Sequence, residues 1–424
     1  MNGFTRTDVA IIGAGPAGLA AAFACQDEGL KLTIVDTSKA ASTAAAQGRS
    51  AALFNKTVAF LERLGVWQIC GNAAEPLKTL AFTDDTGRML RAPDCAFHAA
   101  EIGEGAFGYN IANAALAKAF ACEAERRGIP VLSPGKLTGL GTGPAGTEAE
   151  ARFEDGSVLY APLIIGADGR NSSAREAVGI RSYSWNYSLR SSSPEGGSAN
   201  KLRSSSPKDG GANIQTAIAG SFSHERPHNG TCIEFHRDAG PFTLIPLPGN
   251  RSSFVWSVRK TEAERLLALD GASFAAEASK ASHFALGRVF EPAGRAGFPL
   301  ATVLVREYGR ERVALAGEAA HAAPPIGAQG LNLGFRDVET LARLVGEAHR
   351  RGKDIGSPRL LRAYSASRRG DILSRTLGLD LLNRSLLTNF LPLIAARGLG
   401  LYALGTIGPL RRAFMRSGIA PANF

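Results

Sequence analysis

The sequence predicts an α/β fold in which a parallel-sheet domain is interleaved with an antiparallel β-sheet domain and is followed by a helical C-terminal region. Residues 8–36 have the pattern of a buried strand, a tight turn, a helix and a second strand. From Ile214 to Arg259, several segments alternate apolar and polar residues as the strands of one antiparallel sheet do. After Leu341 the pattern is helical and increasingly basic. Because 424 residues exceed what one core usually fills, we expect two or more lobes.

The chain is expected to pass between the two domains more than once. A hairpin pattern from Leu77 to Ala92, with its turn at Asp85-Thr86-Gly87, leaves the first domain. That domain resumes with a long helix from about Asn110 to Arg127. The predicted boundaries are 1–76, 102–182 and 290–350 for the first domain, 77–101 and 183–289 for the second, and 351–424 for the C-terminal region.

One segment of the second domain is an imperfect tandem copy. LRSSSPEGGSANK from Leu189 is followed directly by LRSSSPKDGGANI from Leu202. Its Ser, Gly, Pro and Lys content cannot build a core, so residues 188–213 are predicted to be a disordered insert in a surface loop. A regulatory phosphorylation loop is the alternative interpretation.

Charge and cysteine content narrow the class of protein. Lys and Arg number 48 against 38 Asp and Glu, an excess of 10 that suits phosphate groups or anionic lipid. No aromatic residues interleave with the basic ones as in a base-stacking surface, so no nucleic acid partner is expected. The five cysteines form no CxxC pair, which indicates neither disulfides nor a metal site and favours the cytoplasm. The N-terminal apolar stretch is predicted to be part of the folded domain and not a signal peptide, because Asp8 interrupts the basic start and Pro16 the apolar helix that a signal peptide needs.

The motif Gly13-Ala14-Gly15-Pro16-Ala17-Gly18 follows a buried strand and opens a helix. In that context Gly13 permits the turn, Gly15 lets the backbone approach a pyrophosphate, and Gly18 lets the helix pack on the strand. The helix N-terminus attracts the phosphate, and Asp36 at the end of the next strand can bind a ribose hydroxyl. The motif predicts a Rossmann-like dinucleotide site, for either FAD or NAD.

Further elements distinguish the two dinucleotides. QGRSAAL places Arg49 early in a predicted helix, and GADGRNSSAR places Asp168, Gly169 and Arg175 after a buried strand. Gly317 and Glu318 follow a third strand. So many contacts from distant parts of the chain fit a long, extended FAD molecule.

The stretch after Glu318 is predicted to bind the flavin ring. Reduced flavin carries negative charge, and the amides of Leu331 and Asn332 at a helix start attract it, each charged hydrogen bond contributing about 1.5–3 kcal/mol. Glycines let the backbone approach the ring, and two prolines, the candidate active-site residues, form a rigid wall beside it. These residues are Gly327, Gly330, Pro324 and Pro325.

These motifs together resemble the single-component flavin aromatic hydroxylases of the para-hydroxybenzoate hydroxylase fold. The segments SFSHERPHNGTCIEFH, GPFTLIPLPGNRSSFVW and NFLPLIAARGLGL resemble the ubiquinone-biosynthesis hydroxylases of the UbiH and UbiF type. By this resemblance, Glu318 takes the place of an acid that bonds the ribityl chain, usually an aspartate. Gln47 stands where an acid is common before Arg49. Both are interpreted as altered FAD contacts.

The resemblance implies an FAD-dependent monooxygenase that hydroxylates the ring of a polyprenyl phenol on the route to ubiquinone. In such enzymes the flavin, reduced by NAD(P)H, takes up O₂ as a C4a-hydroperoxide whose distal oxygen attacks the ring. A polyprenylated substrate further implies peripheral contact with the inner face of the membrane and a place in a quinone-biosynthesis complex. The alternatives are a reductase or halogenase of the same superfamily, and a flavin-binding scaffold without catalysis.

Several other features have competing explanations. HERPH, His224 to His228, matches a zinc-protease motif, but Pro227 forbids the helix that zinc binding requires. His321 is interpreted as a hydrogen-bonded structural residue more readily than as a catalytic acid. Tyr109 and Asn113 fit a helix near the active site or simple core packing. For Leu386 to Leu410, a helix docked on the first domain and an amphipathic helix on anionic lipid are both open.

Overall fold

The computed structural model describes residues 4–36, 48–87, 93–144, 146–187, 214–324, 329–386 and 406–418. The expectations for the insert at 188–213 and for Gln47, Pro325 and Gly327 lie outside these residues. The residues that flank the insert are joined by a hydrogen bond, because the amide of Gln215 donates to the carbonyl of Tyr187 at 2.8 Å.

The α-helices of the described residues are α1 (Pro16–Asp27), α2 (Asn55–Arg63), α3 (Trp67–Cys70), α4 (Asn113–Arg126), α5 (Ser173–Ala177), α6 (Lys260–Ala268), α7 (Gly271–Ala281), α8 (Gln329–Arg350), α9 (Pro358–Leu386) and α10 (Gly408–Gly418). Short 3₁₀ turns occur at Gly71–Ala73, Ala99–Ile102 and Gly317–Ala319.

The strands are β1 (Phe4–Arg6), β2 (Val9–Ile12), β3 (Leu32–Val35), β4 (Ser50–Phe54), β5 (Ala74–Pro76), β6 (Thr79–Asp84), β7 (Cys95–His98), β8 (Gly108–Ala112), β9 (Val131–Leu132), β10 (Leu137–Thr142), β11 (Ala149–Phe153) and β12 (Val158–Ala161). They continue with β13 (Leu163–Gly166), β14 (Ser182–Asn186), β15 (Gln215–His224), β16 (Thr231–His236), β17 (Phe242–Leu247), β18 (Arg251–Arg259), β19 (Val289–Pro299), β20 (Ala301–Val305), β21 (Gly309–Arg310), β22 (Val313–Leu315) and β23 (His321–Ala322).

A six-stranded sheet with the order β21-β22-β13-β2-β3-β9 forms the core of the first domain, parallel except at β21. Strands β2 and β13 are fully buried, as expected of apolar runs covered on both faces. Helix α1 packs against both the sheet and α8. Because parallel strands end at the same edge of a sheet, the loops after β2, β13 and β22 meet there. These loops carry Gly13, Asp168 and Gly317.

A seven-stranded sheet with the order β19-β15-β18-β17-β16-β6-β7 forms the second domain. One face packs against α6 and α7 through a core that includes Phe222, Phe254 and Phe274. The pattern predicts an antiparallel sheet, and strands β15 to β18 pair in this way. The exception is β6, which enters from the first domain and pairs with β16 in parallel. The α/β class with an interleaved sheet domain and a helical C-terminus is confirmed by this architecture.

Two small sheets join the domains. The sheet with the order β4-β8-β5 lies against β17 of the second domain. The sheet with the order β14-β20-β23 links β20, the strand after β19, to the loop that begins with Gly317. At the C-terminus, α9 packs on α8, whereas α10 packs on the 3₁₀ turn Ala99–Ile102 beside β7.

The prediction that Arg49 begins a helix is wrong. Arg49 leads into strand β4, which pairs with β8. The side chain of Asn332 accepts a hydrogen bond from the amide of Phe54 at 3.0 Å and donates to the carbonyl of Ala52 at 2.8 Å, so it holds β4 extended. These partners are distant in sequence, and no local pattern could indicate them.

Three predicted boundaries also differ from the structure. The helix expected from Asn110 begins at Asn113, because residues 108–112 pair with β4 and β5. The hairpin expected to return before Ala92 returns as β7 at Cys95–His98, where its apolar residues join those of β6. The first domain was expected to resume at 290, but β19 pairs with β15 up to Pro299 and therefore belongs to the second sheet.

Candidate functional site

The glycine turn between β2 and α1 divides its three glycines between two physical tasks. Gly13 has a φ of +109°, and a Cβ there would collide with the carbonyl of Ala167. A Cβ on Gly18 would collide with the carbonyl of Gly13. A Cβ on Gly15 would instead enter open space, with nothing within 4 Å, directly before the helix N-terminus. Gly13 and Gly18 are thus required by packing, and Gly15 keeps space free in front of the exposed amides.

Asp36 lies at the same edge of the parallel sheet as this turn. Its amide donates to the carbonyl of Leu132 at 2.8 Å, and the amide of Gly13 donates to the carbonyl of Val35 at 2.7 Å. The carboxylate therefore follows β3 at the point where β3 and the glycine turn are tied together. This is the position in which an acid can reach the ribose of a dinucleotide bound at the turn.

The Asp168 carboxylate has internal hydrogen-bond partners. It accepts from Ser172 Oγ at 2.5 Å, from Ser173 Oγ at 2.9 Å and from the amide of Ala174 at 3.0 Å. Gly169 follows with a φ of +81°, in the left-handed region that favours glycine. Three donors fix this carboxylate at the start of α5, so its observed role is to hold the loop in shape.

Arg175 joins this loop to the next motif. It is buried, and its guanidinium donates to the carbonyl of Ala319 at 2.9 Å and to the carbonyl of Arg170 at 3.0 Å. Ala319 directly follows Glu318, whose side chain is exposed between buried neighbours. Arg175 thereby positions the turn from which Glu318 projects outward.

The same turn is held from the other side by Asp337, which is completely buried in α8. Its carboxylate accepts from the amide of Gly317 at 3.0 Å, from His321 Nε2 at 2.6 Å and from Arg368 Nε of α9 at 2.7 Å. Burial would raise the pKa of Asp337, but His321 and Arg368 outweigh it and hold that pKa below its ordinary value. His321 is therefore a hydrogen-bonded partner of Asp337, as expected for a structural histidine.

The beginning of α8 faces the same region. Gly330 is exposed, and a Cβ on it would have nothing within 4 Å. Asn332 is buried, and besides β4 it accepts from Thr57 Oγ1 at 2.7 Å. Leu331 packs partly against the core, and Pro324 is buried at the end of the preceding described segment. The side chain of Asn332 thus anchors the helix start.

Arg49 and Asn113 present polar atoms that have no hydrogen-bond partner among the described residues. The Arg49 guanidinium lies over the ring of Phe298 at 5.2 Å, and its Nε is buried and unpaired. Asn113 donates its amide to the carbonyl of Arg49 at 2.9 Å, and its Oδ1 is also buried and unpaired. A buried donor and a buried acceptor so close together fit a polar ligand between them. The sequence left Asn113 open between core packing and the site, and its unpaired oxygen favours the site.

The zinc-like motif does not form a metal site in the structure. His224 hydrogen-bonds the carbonyl of Arg226 at 2.8 Å and Ser252 Oγ at 3.1 Å, and His228 hydrogen-bonds the carbonyl of Leu247 at 2.9 Å. Within the described ranges, no three His, Cys, Asp or Glu side chains are grouped so that they could hold a metal ion.

The match to known families covers most of the chain. Residues 6–372 match the family model described as FAD binding domain. The ubiquinone hydroxylase UbiL of Rhodospirillum rubrum is 33% identical over 412 residues, covering 96% of this chain and 88% of that protein. The 3-demethoxyubiquinol 3-hydroxylase of Escherichia coli is 29% identical over 418 residues, covering 97% of each chain.

Solved structures share the fold at low sequence identity. The crystal structure of PqsL, a probable FAD-dependent monooxygenase from Pseudomonas aeruginosa, gives a TM-score of 0.72 at 18% identity and covers 94% of this chain and 100% of its own. Klebsiella pneumoniae HpxO complexed with FAD and uric acid gives a TM-score of 0.70 at 19% identity and covers 100% and 98%.

Proposed function

The chain belongs to the FAD binding domain family, and on that premise we propose that it is an FAD-dependent monooxygenase that hydroxylates the aromatic ring of a polyprenyl phenol in ubiquinone biosynthesis. Relatives named as ubiquinone-biosynthesis hydroxylases, aligned over nearly the whole chain, support this substrate class. The observation that carries the proposal is the meeting of three loops, each from a different strand of the parallel sheet, at one edge of that sheet.

The residues of this edge fit an extended FAD molecule. Gly15 and the start of α1 would bind its pyrophosphate, and Asp36 a ribose. The unpaired atoms of Arg49 and Asn113 would bind the middle of the cofactor, and Glu318 the ribityl chain. The amides at the start of α8, including those of Leu331 and Asn332, would face the flavin ring beside Pro324.

Bound FAD supplies the chemistry that activates O₂ and transfers one oxygen atom to the ring. The contribution of the protein is to bind the cofactor, orient the substrate ring beside it and exclude water from the site. Arg175 and Asp337 hold the turn that carries Glu318, and Asn332 joins α8 to the strand that follows Arg49. Asp168 and Gly169 would act on the cofactor indirectly, by fixing the conformation of the loop before α5. NAD(P)H would visit transiently as the reductant, because Gly13 to Gly18, which FAD would occupy, is the one GxGxxG string among the described residues that joins a parallel strand to a helix.

The test measures the reaction itself. With FAD, NAD(P)H and a polyprenyl phenol, we expect O₂ consumption matched by hydroxylated product. Reduction of a double bond without O₂ consumption would instead identify a reductase. A scaffold would be identified by a Gly15→Ala variant that binds no flavin yet restores quinone synthesis in cells that lack the gene. Accumulation of a quinone precursor in those cells would name the substrate.

We propose that the protein contacts the membrane through α10. None of the described helices is both long and apolar enough to cross a membrane. Helix α10 is fixed by Met415, which is fully buried, and by Arg411, which pairs with Glu101 at 2.6 Å. Ile407 and Leu410 beside this anchor are 50% and 46% exposed, near the exposed Arg412 and Arg416. Exposed apolar and basic residues on and beside one short helix suit an anionic bilayer, and docking there would give a polyprenyl substrate access from the lipid.

This surface gives a direct prediction. Replacing both Ile407 and Leu410 with Asp should lower sedimentation with phosphatidylglycerol-containing vesicles by about tenfold or more, because both apolar burial and charge attraction are reduced. Ile69→Asp, at a residue 45% exposed in the first domain, is the matched control and should sediment like wild type. Equal sedimentation of all three proteins would reject α10 as the contact surface. Membership of a quinone-biosynthesis complex is a separate proposal, tested by co-purification from cells.

A further inference from the structure

The two faces of the seven-stranded sheet have different partners. Phe235 of β16 and Phe254 of β18 face the apolar core beneath α6 and α7. Because side chains alternate along a strand, Glu234, His236 and Ser253 lie on the opposite face. That opposite face is the one that meets the first domain. Ser253 Oγ lies 2.6 Å from Ser50 Oγ, directly after Arg49, and accepts from Asn110 Nδ2 at 3.1 Å.

Glu234 and His236 form a buried acid–base pair on this face. They are 9% and 5% exposed, and His236 Nε2 lies 2.7 Å from Glu234 Oε1. The second carboxylate oxygen accepts from Thr243 Oγ1 at 3.2 Å. The ring of His236 also lies 5.7 Å from that of Phe82. Burying a carboxylate is costly, and the side-chain hydrogen bonds of Glu234 to other described residues hold it only to its own strand and to the adjacent β17, which the sheet already joins by backbone bonds, so the pair calls for a functional explanation.

The register places Glu234 in the middle of a walled surface. One row of side chains runs through Val255, Thr243, Glu234 and Phe82 on four neighbouring strands. At one end, Val255 packs against the same apolar cluster as Trp185 of β14. At the other end, Phe82 belongs to the cluster that holds α10.

The spacing between neighbouring strands of about 4.8 Å separates the two ends by about 14 Å. One row away, Ser253 touches the first domain. A span of about 14 Å is wide enough for an aromatic ring to lie beside Glu234 between these three sides.

We propose that Glu234, oriented by His236 and Thr243, accepts the proton of the ring hydroxyl of the phenol substrate. This rests on the proposed function. The O–H bond breaks, the proton passes to the carboxylate, and the electron pair stays on the phenolate oxygen. That pair increases the electron density of the ring as a ring carbon bonds the oxygen atom derived from O₂. The carbon then loses its proton, and the second oxygen atom leaves as water with two electrons from the nicotinamide reductant.

Other charged groups surround the pair. Asp84 of β6 is in register with His236, and the ion pair of Asp85 with Arg237 lies at the ends of the same strands. The pair of Glu101 with Arg411 lies beside Phe97 of β7. Asp84 also accepts from Thr86 Oγ1 at 2.6 Å. A pH profile of one variant must therefore be compared with a control that leaves these groups unchanged.

The test uses the holoenzyme and a phenol that wild type hydroxylates. Glu234→Gln keeps the shape of the side chain but cannot take up the proton, so we expect kcat to fall about 100-fold, as for loss of a general base. O₂ consumption should continue, with H₂O₂ in place of hydroxylated product. The decline of wild-type activity at acid pH should disappear in the variant. Its activity should recover near the ordinary phenol pKa of about 10, where the substrate ionises unaided.

Glu150→Gln is the matched control, because Glu150 is also 9% exposed but lies in β11 of the first domain, beside Arg152. This control variant should have the kcat and the pH profile of wild type. If Glu234→Gln fails to fold, Glu234→Asp decides: a carboxylate one methylene shorter should keep the acid decline with kcat lowered about tenfold. Unchanged kcat and pH profile in Glu234→Gln, or loss of the acid decline in a folded Glu234→Asp, would overturn this inference. Absence of hydroxylation by wild type would instead reject the proposed function, so the two failures are distinguishable.

Discussion

Replacing Gly15 with alanine is expected to abolish FAD binding while the apoprotein stays folded. Its φ of −72° suits alanine, and a Cβ there would meet no protein atom within 4 Å. The methyl group would occupy the space in which the pyrophosphate approaches the amides of α1. Losing one or two charge-assisted hydrogen bonds of about 1.5–3 kcal/mol each corresponds to a fall in affinity of about tenfold to about 10⁴-fold.

Gly18→Ala is the control that separates cofactor binding from folding. Its Cβ would collide with the carbonyl of Gly13, so the apoprotein itself should lose about 1–3 kcal/mol or more of stability. Thermal unfolding of the apoproteins and titration with FAD, followed by quenching of flavin fluorescence, measure the two effects. Tight FAD binding by Gly15→Ala would show that the cofactor does not lie against this helix start.

Asp337→Ala is expected to give the largest loss of stability outside the glycine turn. Among the described residues, the substitution leaves Arg368, itself 3% exposed, as a buried charge with one ion pair, to Asp371 at 2.8 Å. Breaking a buried pair in this way costs about 3–5 kcal/mol. The amide of Gly317 and His321 also lose their acceptor, so the turn before Glu318 loses its support and FAD affinity should fall as well.

The pH dependence of the same pair has a definite sign. Because the folded-state pKa of Asp337 lies below its ordinary value, the ionised pair stabilises the protein at neutral pH. That contribution is lost as pH falls from the ordinary aspartate range of about 4 through the lower folded value. Denaturant unfolding between pH 7 and pH 3 should therefore show an acid loss of stability in wild type that is smaller in Asp337→Ala.

Asp354→Ala is the comparison for this prediction. Asp354 also links the C-terminal helices to the parallel sheet, through an ion pair with Arg312 at 2.8 Å, but its side chain is 43% exposed. Water screens such a pair, so its removal should cost only about 1 kcal/mol and leave FAD affinity unchanged. Equal losses in the two variants would mean that the burial of Asp337 is not what makes its network important.

Local physics explains why some residues were predictable. The glycines at 13, 15 and 18 act within a few residues of a strand end and a helix start, where backbone sterics decide which side chain fits. The same holds for Ser172, which accepts from the amide of Arg175 at 2.9 Å as a helix cap. A resemblance spanning nearly the whole chain then supplied the cofactor and substrate class.

The sequence by itself determined the α/β class, the glycine turn after the first buried strand and the helix start near Gly330, because each depends on short-range patterns of apolar, glycine and capping residues. Tertiary structure alone decided that Arg49 enters a strand, that Asp168 binds its own loop, and that Asp337 meets Arg368. It also decided that Glu234 faces the first domain. Alternation along a strand shows which residues share a face, but the partner of that face depends on pairing with strands distant in sequence.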